Sequence, residues 1–263
     1  MTKVILALPG RTFSGAFLMN WSQTLMTLLN KGYEFVVTNE YSSFVTYSRM
    51  KTLGLDVLRG VEQKPFGGKV EYDVWLTIDS DIVFTPEQVI ELIEDTKTYP
   101  VVSGLYRMQD MKHYACVKEW DIDYFKKVGS FQFMKVGEPE KEEKYIPVAY
   151  NGMGFFACRK GVIEKLKYPY FTYPLIEMEG EDGVMIQDTC SEDVAFCKNL
   201  KDAGFDVIVN TTIIVGHEKT LNNFIDTCIP ELYVLLNHVN YFLLISCFKE
   251  ITHSVYNDSE SYT

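Results

Sequence analysis

The stretch VWLTIDSDIVFTPEQVIELI, residues 74–93, decides the predicted fold. Its first five residues are largely apolar, which is typical of a strand buried on both faces of a parallel sheet. Thr85 then precedes Pro86, and Gln88 follows three residues after Thr85, so we expect a helix to begin here with Thr85 as its N-cap. A strand, an acidic turn and a capped helix together indicate one unit of an α/β fold.

The segments around this stretch repeat the alternation of strand and helix. Strands are predicted over Lys3–Pro9, Tyr33–Asn39, 101–106 and Phe155–Cys158, with one or two more within 205–217. Helices are predicted after Ser14, around Arg49, after Thr85, over Val162–Lys167, and between Ser191 and Gly204. The whole pattern predicts an α/β fold with a Rossmann-like, mostly parallel sheet and helices on both faces.

Two segments, 107–147 and 168–190, break the alternation and are predicted to be irregular. Residues 1–218 are predicted to form one domain, and residues 219–263 a C-terminal helical appendage with a disordered end. The uncharged run Leu232–Phe248 in this appendage is shorter than the about 20 apolar residues that a membrane span needs. Packing on the domain is therefore the favoured interpretation, while membrane contact or a partner surface stays open.

The charge of the chain limits its partners. Lys and Arg number 25 against 36 Asp and Glu, which gives a formal charge of −11. Nucleic acids and anionic membranes attract clustered Lys and Arg, so neither is expected as the main partner. A substrate that carries phosphate would then need something other than a basic patch to neutralise it.

The cysteines and the N-terminus bear on the compartment. The six cysteines never form a C-x-x-C pair, and most lie in apolar runs, where a reduced cysteine behaves as a small hydrophobe. We expect reduced thiols and no structural zinc, with disulfides as the less favoured alternative. The apolar run near the N-terminus is too short for a signal peptide. These features predict a cytoplasmic protein.

The D-x-D pair of Asp79 and Asp81 is the sharpest chemical signal. It follows a predicted buried strand, and ligands bind at the carboxyl ends of strands in open α/β sheets. Two carboxylates one residue apart can both face a hard divalent cation, Mn²⁺ or Mg²⁺. A cation held in this way can bridge a diphosphate that an acidic protein would otherwise repel. The alternative is that the two aspartates only form a turn.

Three further features of the sequence are compatible with other functions. DSDIV, residues 79–83, matches the nucleophile motif of haloacid-dehalogenase phosphatases, but that motif normally follows the first strand. The glycines Gly10 and Gly15 have Walker A spacing, yet Ala16 stands where the lysine must be, which excludes a P-loop. Trp120 and the aromatic residues around it could stack on sugar rings or could simply pack the segment 107–147 down.

Three segments in order give a resemblance to a known family. They are residues 74–106 with the D-x-D, NGMGFFACRKGVIEKL at 151–166, and SEDVAFCKNLKDAGFDVIVNTTIIVGH at 191–217. Together they resemble nucleotide-sugar glycosyltransferases of the GT-A fold. They are most similar to the small enzymes of large DNA viruses and phages, such as the chlorovirus capsid-glycan type. The resemblance covers roughly residues 3–218.

The resemblance implies a metal site and a catalytic pair. Asp79 would contact the ribose or reach the metal through water, Asp81 would bind Mn²⁺ or Mg²⁺ directly, and His217 would complete the metal site. Glu192 and Asp193 resemble the E-D pair of inverting members, in which the aspartate is the general base. An alternative for this pair is that both residues merely stabilise the helix N-terminus.

The resemblance also implies a donor site at the first two strand ends. Pro9, Gly10 and Arg11 follow the first strand and Asn39 and Glu40 end the second, where the fold class holds the base and the ribose. Two further residues are assigned to donor binding, namely Arg49, which resembles the arginine of an A-R-N segment with different neighbours, and Ser80 between the two aspartates.

The sequence thus leads to a specific expectation. The chain is expected to be a hexosyl- or deoxyhexosyltransferase that moves a sugar from a nucleotide diphosphate sugar, UDP-linked, to a glycan or glycoprotein acceptor with inversion. If the chain is viral, it would act in the host cytoplasm. A metal-dependent phosphatase or nucleotidyltransferase is the enzyme alternative, and a sugar-binding or capsid-associated module is the non-enzyme alternative.

Overall fold

A computed structural model describes residues 1–218 of the chain. The helices in this range are α1 (Gly15–Asn30), α2 (Val45–Thr52), α3 (Pro86–Asp95), α4 (Ile122–Val128) and α5 (Glu192–Asp202). The strands are β1 (Lys3–Pro9), β2 (Glu34–Glu40), β3 (Val74–Ile78), β4 (Ile82–Val83), β5 (Val101–Leu105), β6 (Cys116–Val117), β7 (Tyr145–Val148), β8 (Tyr150–Asn151), β9 (Phe155–Arg159), β10 (Leu175–Glu179), β11 (Met185–Thr189), β12 (Val207–Ile214) and β13 (Gly216–His217). The predicted appendage, 219–263, lies outside the described residues.

A seven-stranded sheet forms the centre of the domain, in the order β2–β1–β3–β9–β5–β12–β7. The pairs β2/β1, β1/β3 and β5/β12 are parallel, whereas β9 runs antiparallel to both of its neighbours and β7 antiparallel to β12. Five of the seven strands therefore point the same way. The predicted α/β fold with a mostly parallel sheet is confirmed.

Helices cover both faces of this sheet. Successive side chains of a strand point to opposite faces, and in β1 Ile5 belongs to one buried apolar cluster while Leu6 belongs to the other. Phe17 of α1 and Leu92 of α3 pack in the cluster of Leu6, and Phe196 of α5 packs in that of Ile5. The expectation of helices on both faces is confirmed.

The helix starts that the sequence predicts are also present. The Thr85 hydroxyl accepts a hydrogen bond from the Gln88 backbone N–H, and the Gln88 side chain accepts one from the Thr85 N–H at 2.9 Å, which is a complete capping box. At the start of α1, the Ser14 hydroxyl accepts from the Phe17 N–H at 3.0 Å. Both caps fix the direction in which the chain leaves a strand end.

Three local predictions differ from the structure. The segment 107–147, predicted to be irregular, contains β6, helix α4 and the first residues of β7, an edge strand of the central sheet. The helix predicted over Val162–Lys167 is only a short 3-10 turn, Ile163–Lys165. A proline at 169 disfavours helical backbone at Tyr168, so the turn has no room to extend. The segment 168–190, predicted as irregular, contains the antiparallel hairpin β10–β11, which is largely exposed and therefore lacks the apolar alternation of a packed strand.

The four cysteines within residues 1–218, Cys116, Cys158, Cys190 and Cys197, are buried and form no disulfide with one another. Within residues 1–218, no helix combines the length and the hydropathy that crossing a bilayer would require.

Candidate active site

The D-x-D turn leaves the centre of the sheet and meets the last described strand. Asp79 directly follows β3, and its backbone N–H donates to the Gly154 carbonyl oxygen at 2.9 Å. The chain then enters β4, in which Ile82 pairs with His217 of β13. This short pairing places the His217 imidazole beside Asp81, with 3.2 Å between Nε2 and Oδ2.

His217 is fixed by a hydrogen bond on its other ring nitrogen. Nδ1 lies 2.7 Å from the Arg107 carbonyl oxygen, and because a carbonyl only accepts, Nδ1 must carry the proton. Nε2 therefore faces the Asp81 carboxylate, and either a proton on Nε2 or a cation between the two groups can join them. The ring of Tyr106 packs edge-on against His217, with 4.9 Å between ring centroids.

This donor set fits a divalent cation that also binds substrate. Within residues 1–218, no group of three or more His, Cys, Asp or Glu side chains is arranged to hold a metal ion by itself. Mg²⁺ sites at phosphates typically use one or two protein carboxylates together with phosphate oxygens and water, so a complete protein cage is not required. A histidine that donates its second N–H to a backbone carbonyl is also the usual state of a metal ligand. Asp81 and His217 meet these conditions.

Asp79 takes a different partner. Its two carboxylate oxygens accept from Nη1 and Nη2 of Arg49, at 2.8 and 2.9 Å. Arg49 is 3% exposed, and its Nε donates to Glu192 at 3.1 Å. Burial opposes the charge of Arg49, but the two carboxylates outweigh it and raise the arginine pKa further. A metal role for Asp79 stays a prediction, since both of its oxygens are engaged.

Asp193 is held by donors on both oxygens. The Tyr150 hydroxyl donates to Oδ2 at 2.9 Å, while the Ser191 hydroxyl and the Val194 N–H bind Oδ1. Burial, and next the charge of Asp193, raise the pKa of Tyr150 well above its usual value, so this hydroxyl stays a donor. The carboxylate is thus fixed in orientation at the start of α5 while its residue remains half-buried.

Glu192 differs from its neighbour Asp193. It is 7% exposed and binds Arg49, and burial raises its pKa although the guanidinium opposes the rise. This side chain is occupied by a buried ion pair. The two carboxylates of the E-D pair therefore have different partners. Glu192 binds Arg49, and Asp193 binds Tyr150.

The predicted donor residues at the ends of β1 and β2 lie together. Gly10 packs against Ser80, so closely that an added Cβ on Gly10 would stand 2.7 Å from the serine Cβ. The Gly10 N–H donates to the Glu40 carbonyl oxygen at 3.0 Å, and the Arg11 guanidinium lies 5.7 Å from the ring centroid of Tyr41. The end of β1, with Pro9 as its last residue, is thereby joined to the D-x-D turn.

Two tyrosines of the site have no signal in the sequence. Tyr106 is the first residue after β5. An added Cβ on Gly152 would stand 1.9 Å from the Tyr106 hydroxyl, so position 152 needs a glycine. The pKa of Tyr106 is raised, first by burial and next by the charge of Asp193. Tyr150 binds Asp193 from 43 residues away. Only the folded chain brings these residues together.

Comparisons with known proteins add little to the site. No protein-family model and no curated protein sequence matches the chain. Among solved structures, the chain is similar to the crystal structure of A197 from STIV, with 19% sequence identity over 91% of this chain and 97% of that chain and a TM-score of 0.47. A likeness at this level carries no argument about function, which therefore depends on the site itself.

Proposed function

We propose that the chain is a metal-dependent glycosyltransferase that moves a sugar from a nucleotide diphosphate sugar, UDP-linked, to a hydroxyl of a glycan or glycoprotein, with inversion. The observation that carries this proposal is the pair of Asp81 and His217, in which Oδ2 and Nε2 lie 3.2 Å apart while Nδ1 of the histidine donates to the Arg107 carbonyl oxygen. This pair suits Mn²⁺ or Mg²⁺.

The local charges support a metal–diphosphate complex as the ligand. Arg49, the buried cation, binds Asp79 and Glu192 and feels the charge of Asp193, and Asp81 acts on Asp79, so four carboxylates and one cation give a formal charge of −3. A bare diphosphate would be repelled by this sum, whereas a divalent cation would be attracted. When bound, such a cation supplies Lewis-acid stabilisation of the negative charge on the leaving nucleotide.

Asp193 has the position and the support of a general base. An acceptor hydroxyl must lose its proton as it attacks the anomeric carbon, and a fixed carboxylate can take that proton. Tyr150 and Ser191 orient this carboxylate, while Arg49 engages the carboxylates of Glu192 and Asp79. A single positioned base on the acceptor side is the arrangement that a one-step displacement with inversion needs.

The phosphatase alternative is less well supported. In DSDIV the nucleophile would be Asp79, but Arg49 engages both oxygens of that carboxylate. An aspartyl nucleophile needs an oxygen free to attack phosphorus. No observation favours a second enzyme class over the transferase.

Donor binding and turnover test the proposal. Thermal unfolding is followed with UDP, with Mn²⁺, and with both, and a ligand at about 100 times its dissociation constant should add roughly 2.7 kcal/mol to the unfolding free energy. We expect stabilisation by UDP only when Mn²⁺ is present, and release of UDP from at least one UDP-sugar. No metal-dependent binding of any nucleoside diphosphate, or activity that persists in EDTA, would overturn it.

A further inference from the structure

Beside the site described above, the segment 107–147 encloses a cavity of about 990 Å³. All of its lining residues lie between Met108 and Glu142, so a single stretch of chain builds it. The volume is at the upper end of the range of about 300–1,000 Å³ that is usual for small-molecule pockets. No role in the donor or metal site falls to this segment beyond the Arg107 carbonyl.

One end of the cavity adjoins the metal half of the site. Met108 lines the cavity and directly follows Arg107, whose carbonyl oxygen orients His217. The Met108 N–H donates to the His113 carbonyl oxygen at 2.8 Å, which fixes the cavity wall to the same backbone. The cavity and the proposed metal site are therefore joined through the adjacent backbone of Arg107 and Met108.

Another wall adjoins the proposed base. The ring of Phe133 lines the cavity and lies edge-on to Tyr150, with 6.4 Å between ring centroids. Tyr150 in turn donates to Asp193. Trp120 packs behind this wall, 4.8 Å from the ring of Phe131, and is not among the cavity residues. Trp120 thus supports the wall from behind, while Phe131 and Phe133 line the cavity.

The charges of the lining nearly cancel. The positively charged side chains are those of Lys118, Lys135 and Lys141, and the negatively charged ones are those of Asp110, Glu119, Glu138 and Glu142. Several are already paired: Glu142 binds Lys118 at 2.6 Å, and Asp110 binds the His113 ring at 2.6 Å. An anionic donor such as a nucleotide finds no excess of positive charge here, so the lining favours an uncharged ligand.

The remaining lining is typical of a carbohydrate site. Aromatic rings from Tyr124, Phe131 and Phe133 offer flat apolar surfaces, and Ser130 and Gln132 offer both donors and acceptors. A sugar presents the same combination, with C–H groups on its faces and hydroxyls that donate and accept around its edge. Such a mixture of apolar surface and a few polar groups fixes the orientation of a ligand.

We propose that this cavity binds uncharged sugar residues of the acceptor, beyond the hydroxyl that reacts. The inference rests on the proposed glycosyltransferase function and names the part of the chain that selects the acceptor. Binding of remote, non-reacting sugars would hold the acceptor in place, and such contacts contribute to transfer as well as to affinity.

Glycan binding without any donor tests this directly. The fluorescently labelled full chain is applied to a printed array of uncharged and charged glycans in the absence of nucleotide. We expect binding to at least one uncharged glycan. With that glycan in solution, hydrogen exchange of the backbone amides within 108–142 should slow. The substitution Gln132→Ala, at an exposed position, should raise the dissociation constant for the glycan roughly three- to tenfold, which corresponds to the loss of one hydrogen bond.

A matched control and a second measurement separate the outcomes. Gln23, exposed on α1, changed to alanine should leave glycan binding unchanged. An array without bound glycan, protection that falls outside 108–142, or equal binding by Q132A and the wild type each overturns the inference. Calorimetry with Mn²⁺ and UDP on the same preparation tests the transferase separately. If the protein binds nucleotide but no glycan on the array, the sugar site is wrong and the transferase proposal stands. If it binds glycan but no nucleotide, the transferase proposal is wrong and the sugar site stands.

Discussion

Arg49 and Asp79 form a bidentate ion pair, with hydrogen bonds of 2.8 and 2.9 Å between the guanidinium and both carboxylate oxygens. The same guanidinium binds Glu192 through Nε. A planar arginine fork suits a carboxylate in this way, whereas a lysine offers a single point charge. Arg49 therefore joins the D-x-D turn to the start of α5 and aligns the two elements that carry Asp81 and Asp193.

Removal of Arg49 should destabilise the fold. The change Arg49→Met leaves Asp79 and Glu192 without their partner, and breaking a buried ion pair from one side typically costs about 3–5 kcal/mol. Urea unfolding followed by circular dichroism measures the loss. Arg11→Met, on an exposed side chain, should change the unfolding free energy by less than about 0.5 kcal/mol. Equal stability of the two variants would show that Arg49 does not hold the site together.

Removal of His217 should abolish the response to metal. His217→Ala deletes one of the two ligands expected for the cation, so the stabilisation by UDP with Mn²⁺ should disappear. The variant also loses the contacts with Arg107 and Tyr106, so its melting temperature is compared with and without ligand. Differential scanning fluorimetry with and without EDTA provides the measurement. His113→Ala is the control, because the Nδ1 of His113 is also bound, but to Asp110. A full Mn²⁺ response in H217A would exclude this residue as a ligand.

The proposed base should be separable from nucleotide binding. Asp193→Asn keeps the size of the side chain and one of its two acceptor oxygens but cannot take a proton, so kcat should fall by about 10²–10⁴. The dissociation constant for Mn²⁺–UDP, measured by calorimetry, should stay within about threefold. Asp188→Asn on the exposed hairpin is the matched control. Near-normal transfer by D193N would remove Asp193 from the mechanism.

Tyr150 should act through the orientation of Asp193. Tyr150→Phe removes one hydrogen bond, worth about 1 kcal/mol of stability, and should lower kcat with little change in the KM for the donor. Tyr33→Phe is a close control, because it also removes a tyrosine–carboxylate hydrogen bond, to Glu94, far from the site in sequence. If the two variants lose stability equally and neither loses kcat, the orienting role is wrong.

The contact between Gly152 and Tyr106 should be intolerant of a methyl group. In Gly152→Ala the new Cβ would meet the Tyr106 hydroxyl at 1.9 Å and its Cζ at 2.8 Å, so the ring must move. Since that ring packs on His217, we expect both a lower melting temperature and a weaker Mn²⁺ response. Gly15→Ala has open space and should be neutral. Adding Tyr106→Phe should restore part of the loss in G152A.

The sequence was sufficient wherever the cause of a structure is local. The apolar run of β3, the capping box at Thr85 and the turn after β1 each depend on residues close in the chain, and each is where it was predicted. Asp79, Asp81 and His217 could be selected because they end strands. The resemblance to a known family supplied the pairing of these residues into one site.

The remaining features depend on contacts between distant residues. Nothing near Tyr150 in the chain indicates that its hydroxyl binds Asp193, and nothing near Arg49 indicates that it takes both oxygens of Asp79. The hairpin β10–β11 was missed because its side chains are mostly exposed on both faces, which removes the period-two pattern. Such features require the tertiary structure.

The pairing of β4 with β13 determines the stage of chain synthesis at which the proposed cation site is complete. Asp81 is made early, but its partner His217 is 136 residues later and reaches it only through this two-residue pairing. A chain synthesised only as far as α3 contains Asp81 but lacks half of the proposed cation site. On the proposed function, binding of metal and turnover of nucleotide sugar begin only after β13 has been synthesised and has paired with β4.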